Sequence, residues 1–151
     1  MTIVCYRDGV LAADSLVLEG GTRVGQVRKF RVFQCGTVIA FSGHLSAGSW
    51  FLKEVTPATM PDELPKDFNA MKVDPHGDVY HLESENRVWF KIEAPFHAIG
   101  SGSYLAIGAM AMGADAREAV TVACTYETGC GGPIRCHAMP GLPRMALEDD
   151  S

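Results

Sequence analysis

The sequence predicts an α+β domain in which antiparallel sheets carry helices on their outer sides. Three observations predict it. Short apolar runs recur in pairs across turn residues, the first pair across Asp8-Gly9, which is the strongest local hairpin signal. Helical spacing or composition is confined to stretches near residues 45–55, 104–112 and 115–125. The order is therefore strands, a helix, strands, two helices, then a strand, and many hairpin-joined strands favour antiparallel sheets with helices laid outside them. Two sheets between helix layers fit that order, and so does a simpler two-layer α+β arrangement.

The elements follow in turn. Residues 3–6 and 10–14 form the first hairpin, which builds the start of the chain into a sheet with Thr2 and Asp14 near one open end. A terminus that carries chemistry needs this anchoring, because free termini fray. Residues 15–27 are mixed, with turns marked by Gly20-Gly21 and Gly25. Residues 29–33 alternate, and Gln34-Cys35-Gly36 turns the chain into 37–42, a second hairpin. Leu45, Trp50, Phe51 and Val55 fall near helical spacing and predict a short amphipathic helix stopped before Pro57. Residues 56–67 hold Pro57, Pro61 and Pro65 and read as a surface loop. A third hairpin pairs 70–73 with 79–82 around Asp74-Pro75-His76-Gly77-Asp78, 87–92 extends or edges the sheet, and 96–99 is another strand. Gly100-Ser101-Gly102 opens the most helical part, 104–112, which Gly113 interrupts. Asp115-Ala116-Arg117-Glu118 has capping-box form and restarts a helix to about 125. Gly129, Gly131, Gly132 and Pro133 end it, and 134–138 is a last strand. Residues 140–151 read as a polar, mobile tail, leaving one domain over 1–139. No internal repeat is apparent.

With 151 residues and 47% hydrophobic content the chain suffices for one substantial core. The net charge of −5 and the lack of a Lys/Arg cluster argue against nucleic-acid binding. No apolar run reaches bilayer-spanning length, and no basic segment followed by an apolar run opens the chain, so a cytoplasmic protein is expected. The five cysteines are scattered and odd in number, so free thiols are the default. Cys124, Cys130, Cys136 and His137 lack the spacing of a usual zinc knuckle.

Met1-Thr2 opens the chain, and an initiator Met is commonly trimmed ahead of a small residue. Trimming leaves a threonine with a hydroxyl and a free α-amine on one residue. The amine titrates near 8, so an appreciable fraction is neutral and able to take a proton. A threonine's own N-terminal amine is a recognised base for activating its hydroxyl. Met-Thr alone is a weak motif, and many chains begin that way.

Several pieces in one order strengthen it. They are the threonine, Asp8-Gly9-Val10-Leu11-Ala12-Ala13-Asp14, a lysine after a Gly/Val stretch, Phe41-Ser42-Gly43, Ala98-Ile99-Gly100-Ser101-Gly102, and Thr128 to Pro133. Together they resemble the proteasome β-subunit family, especially its small bacterial and phage members related to the HslV peptidase. The resemblance runs from Thr2 to about Ile134. It implies the four-layer αββα sandwich of N-terminal nucleophile (Ntn) hydrolases, with two antiparallel sheets between helix layers. It implies Thr2 as nucleophile of a threonine-type endopeptidase, hydrolysing peptide or unfolded protein through an acyl-enzyme. Asp14 matches the aspartate that pairs with a lysine, and Lys29 matches that lysine, whose charge lowers the cost of an alkoxide. Gly43 matches the backbone donor of the oxyanion hole, where a bare backbone suits close approach. Ser101 matches a serine near the nucleophile, while helix capping by Ser101 or Ser103 is the plainer role. Glu127 aligns where the family usually carries Asp, a longer carboxylate that would support Ser101 or Thr2. No metal or organic cofactor is implied. A homo-oligomeric ring or double ring is, with an ATPase unfoldase as a compatible partner.

The first hairpin is shorter than in larger relatives, and the usual second threonine is Ile3. Equal shortening of both strands keeps Thr2 beside Asp14, whereas a slipped register puts Met1 in the nucleophile's place. Cys5, inside a strand, reads as a buried structural thiol. His44 after Gly43 is a possible general base, though a loop histidine is more often exposed or structural. Phe41 and Leu45 flank Gly43 as lining for an apolar substrate pocket. Two rivals share the fold: a small-amide Ntn amidohydrolase, and a non-catalytic ring-forming assembly protein.

Overall fold

The computed structural model describes residues 2–141; Met1 and most of the expected tail, from 142 onward, lie outside the described residues. In chain order the first six strands are β1 (Ile3–Arg7), β2 (Val10–Ala13), β3 (Leu16–Glu19), β4 (Thr22–Gln26), β5 (Phe30–Val32) and β6 (Val38–Gly43). Helix α1 (Leu45–Glu54) follows, then β7 (Phe68–Val73), β8 (Val79–Glu83), β9 (Phe90–Ile92) and β10 (Phe96–Gly100). Helices α2 (Ser103–Ala111) and α3 (Ala116–Tyr126) precede β11 (Arg135–Ala138). The fold is α+β, and the described strand pairs are antiparallel.

The opening hairpin turns at Asp8 and Gly9, both at positive φ (49° and 82°), as a type I′ turn demands. It lies inside a four-stranded sheet ordered β10-β1-β2-β11. A five-stranded sheet runs β5-β6-β7-β8-β9. Because successive strand residues point to opposite faces, each sheet has two distinct sides. Val4, Leu11 and Ala13 of the first sheet share one buried cluster with Val38, Met71 and Val73 of the second. Ile3, Cys5 and Ala12 face the other way, onto Ala106 and Met110 of α2 and Ala119, Val120 and Ala123 of α3. Ile39, Phe41 and Ala70 likewise turn to Ala47, Phe51 and Leu52 of α1. Each such Val, Leu, Ile or Phe contributes about 1.5–3 kcal/mol by leaving water. The start of the chain is therefore anchored from both sides of β1.

Helix α3 begins with a complete capping box: Glu118 N–H donates to Asp115 Oδ1 (2.8 Å), and Asp115 N–H donates to Glu118 Oε1 (2.9 Å). The stretch that reads as mixed in sequence is a separate hairpin, β3–β4. β4 is exposed along its whole length, so no buried alternation marks it. What seats the hairpin is non-local: Ser15 and Leu16 both donate their N–H to the Gly131 carbonyl (3.0 and 3.1 Å). No helix among the described residues is long and apolar enough to cross a membrane.

Candidate active site

Thr2 is buried, 1% exposed, directly ahead of β1. Two bonds close the open end of its hairpin. Asp14 N–H donates to the Ile3 carbonyl (3.1 Å), and Ile3 N–H donates to Asp14 Oδ1 (3.1 Å). A side-chain oxygen thus takes over from the backbone at the end of the ladder and pins the residue after Thr2. The same Oδ1 accepts from Lys29 Nζ at 3.1 Å, and Oδ2 accepts from Lys29 Nζ at 3.2 Å and from Gly131 N–H at 3.1 Å. Both side chains of the ion pair are fully buried. A buried charge is tolerated only when paired and hydrogen-bonded, and Asp14 meets that condition with three donors. Lys29 is thereby fixed one shared oxygen away from the amide that follows Thr2.

Gly43 ends β6 at φ 103°, and a Cβ there would lie 2.6 Å from the Asp67 carbonyl oxygen, so only glycine fits. Phe41 N–H bonds the Lys29 carbonyl (3.0 Å). Alternate residues of a strand aim their N–H groups at the same edge, so the Gly43 N–H leaves β6 on the Lys29 side, past the start of β5. Its neighbour across the sheet, Phe68, accepts instead from Ser84 N–H (3.2 Å). The Gly43 donor is thus not spent on β7. Ser101 N–H donates to the Thr2 carbonyl (3.0 Å), and the Ser101 hydroxyl lies 3.9 Å from Cys130 Sγ. Cys124 hydrogen-bonds Cys130, which lowers the Cys130 thiol's affinity for its proton and raises its own.

The structure corrects some sequence expectations and agrees with others, such as the buried Cys5 thiol and a structural His44. Neither Ser101 nor Ser103 caps α2, whose N-cap is Gly102 with no side-chain bond. Glu127 closes α3 beside Gly102, and its Oε1 accepts from Gly129 N–H (3.4 Å), with no hydrogen bond to Ser101 or Thr2 among the described residues. His44 is the N-cap of α1, its Nδ1 accepting from Ala47 N–H (3.3 Å), which commits that nitrogen to structure. Phe41 is fully buried in the α1 cluster, whereas Leu45 lines a cavity beside Thr2. Cys5 is fully buried, and desolvation holds its thiol protonated.

Two cavities adjoin Thr2. One, about 330 Å³, is walled by Leu16, Val17, Leu18 and Leu45, with Glu19, His44 and Ser46 adding polar groups. The other, about 560 Å³, is the open end of the space between the sheets. There the inward-facing positions change character: Val38 and Ala40 give way to Ser42, Met71 to Asn69, and Val79 to His81 and Glu83. The role of these residues is missed by motif reading, although alternation along β8 already puts His81 and Glu83 on the face of Val79.

His81 Nδ1 lies 3.0 Å from His97 Nε2, joining β8 to β10 beneath this cavity. Burial, then the neighbouring His81, pulls His97 down to about 4; burial also lowers His81, with Glu83 opposing. An unfolded histidine takes its proton near 6.5. Between those values the unfolded chain binds more protons, so stability is full above about pH 6.5 and drains as pH falls toward 4. Thermal melts should show Tm falling by a few degrees more over that window than in a His97→Gln variant.

No protein-family model and no curated protein matches the chain. Solved structures do. Thiobacillus denitrificans BPH in complex with epoxomicin is 20% identical with a TM-score of 0.66, covering 91% of this chain and 97% of that one. A second structure of Thiobacillus denitrificans BPH is 19% identical, with a TM-score of 0.64 and coverage of 93% and 98%. The chain shares their fold over nearly its whole length.

Proposed function

We propose that the protein is a threonine-type endopeptidase of the proteasome β-subunit and HslV-like group, with the four-layer αββα sandwich of Ntn hydrolases. One observation carries this: Lys29, fully buried, is held by the carboxylate oxygen that also holds the amide following Thr2. A structural ion pair has no need of the chain's second residue. A hydroxyl about to become an alkoxide does need a fixed positive charge nearby. The epoxomicin complex of a structural neighbour supports the same reading, since epoxomicin is a threonine-protease inhibitor.

In the proposed mechanism Met1 is removed and the Thr2 hydroxyl attacks a peptide carbonyl. Its proton passes to the α-amine, directly or through water. The Lys29 charge, oriented by Asp14, favours the alkoxide, and the Gly43 N–H stabilises the tetrahedral oxyanion. The amine leaves with the proton, and water then releases the acyl group from Thr2. Ser101, bonded through its N–H to the Thr2 carbonyl, positions the nucleophile.

A homo-oligomeric ring belongs to the same reading, in the cytoplasm and fed with unfolded chains by an ATPase. Helix α2 carries no charged residue, yet only Ala106 and Met110 are buried, and Tyr104 and Met112 are each 89% exposed. A helix apolar on all sides normally has a partner on each.

The test is labelling with an epoxyketone or β-lactone and mapping of the adduct. One adduct on Thr2 is expected, absent in Thr2→Ala, with peptide hydrolysis down at least about a thousandfold. An adduct elsewhere, or purified protein that retains Met1, would sink the proposal.

A further inference from the structure

Asp67 stands where two cavities meet. The 560 Å³ cavity contains Thr2, Gly43 and Ser101. A second, about 590 Å³, lies between α1 and the loop before β7 and is walled by Trp50, Leu64 and Pro65. His44 and Asp67 line both, so these two residues form the border between the space beside Thr2 and the Trp50 cavity.

Asp67 is held in place. Its backbone is left-handed (φ 69°), its carbonyl accepts from His44 N–H (2.8 Å), and its N–H donates to Glu85 Oε2 (3.3 Å). Among the described residues neither Asp67 nor Glu83, which lines the same first cavity, belongs to an ion pair. No lysine or arginine lines that cavity; Lys66 lines only the second, beside Glu63. Trp50 is 40% exposed, and a large ring left open in a cavity is ready-made apolar contact surface. The sequence beside the nucleophile is therefore negative first and aromatic beyond.

Resting on the peptidase reading, we propose that Asp67 is a specificity-determining residue. It selects substrates with lysine or arginine beside the cleaved bond and a bulky apolar residue further along the same side, in the Trp50 cavity. A cation brought to Asp67 gains a charge-assisted hydrogen bond in a partly enclosed space. Wrong partners, acidic side chains above all, meet two carboxylates.

The test is digestion of a synthetic peptide mixture, with cut sites read by mass spectrometry, and kcat/KM for peptide pairs differing by one lysine-to-glutamine change. Cuts should concentrate beside basic residues. The lysine-to-glutamine preference should be about fivefold to tenfold and shrink in high salt. Asp67→Asn, which tolerates the left-handed backbone, should abolish the preference, and Asp67→Glu should keep part of it. Trp50→Ala should remove the preference for an apolar residue further along. If Thr2 takes the β-lactone label but cuts ignore basic residues, or the preference survives both high salt and Asp67→Asn, the inference falls and the peptidase reading stands. If Thr2 takes no label and no peptide is cut, both fall.

Discussion

Asp14→Asn should cost about 3–5 kcal/mol of folding stability, because it strips the carboxylate from a fully buried ammonium. The asparagine keeps the size and loses the charge, and its amide end presents a donor to Lys29, Ile3 or Gly131, all of them donors now. For a domain of this size that is a fall in Tm of roughly 10 °C, read by a thermal or urea melt. Since whole domains are stable by about 5–15 kcal/mol, the variant will be marginal. The double variant Asp14→Leu with Lys29→Met should recover much of the loss, since apolar replacement of both members of a buried pair is far less costly than removing one. It should remain inactive. Recovered stability without activity would separate the two, as the proposed role of the pair in activating Thr2 requires. An Asp14→Asn protein melting within about 2 °C of the parent would show that the pair is not the anchor described here.

Gly100→Ala should disable the protein from the other side of β1. A Cβ at this position would lie 1.8 Å from the Thr2 carbonyl oxygen and 3.1 Å from Ile3 Cα, both backbone, and φ is 113°. Nothing flexible is available to give way, so β1 must shift away from β10 at the Ile3–Gly100 pair. The strained backbone alone costs about 1–3 kcal/mol. A displacement of about 1 Å at the proposed nucleophile is worth on the order of a hundredfold in rate, so Thr2 labelling should slow by about that factor. Gly108→Ala is the control: a Cβ there meets nothing within 4 Å, and an exposed helical alanine should add about 0.5–1 kcal/mol. Equal behaviour of the two variants in melts and labelling would refute the crowding argument.

Much of this architecture is legible from local chemistry. Asp8-Gly9 can turn only one kind of hairpin, Asp115 with Glu118 caps a helix on the spot, and Pro57 stops one. Such features depend on residues a few positions apart and on side-chain period, which a linear reading captures. The β3–β4 hairpin is not of this kind. Its outer strand buries nothing, and its inner strand is held at Ser15 and Leu16 by the Gly131 carbonyl, more than a hundred residues away. Ser101 and Ser103 have the composition of caps, yet the backbone gives the cap to Gly102 and aims the Ser101 N–H at Thr2.

The sequence by itself determined the α+β class, the pairing of each predicted hairpin, and the presence of a threonine, an aspartate, a lysine and glycines in suggestive order. Those depend on period and turn chemistry, which act over a few residues. Only the tertiary structure decided that Asp14 shares one oxygen between Lys29 and the Ile3 amide, that Glu127 bonds Gly129, and that Asp67 borders both the space beside Thr2 and the Trp50 cavity. These are meetings between strands and loops far apart in the chain. Which side chains meet there is set by how two sheets close over one core, and no local pattern encodes that.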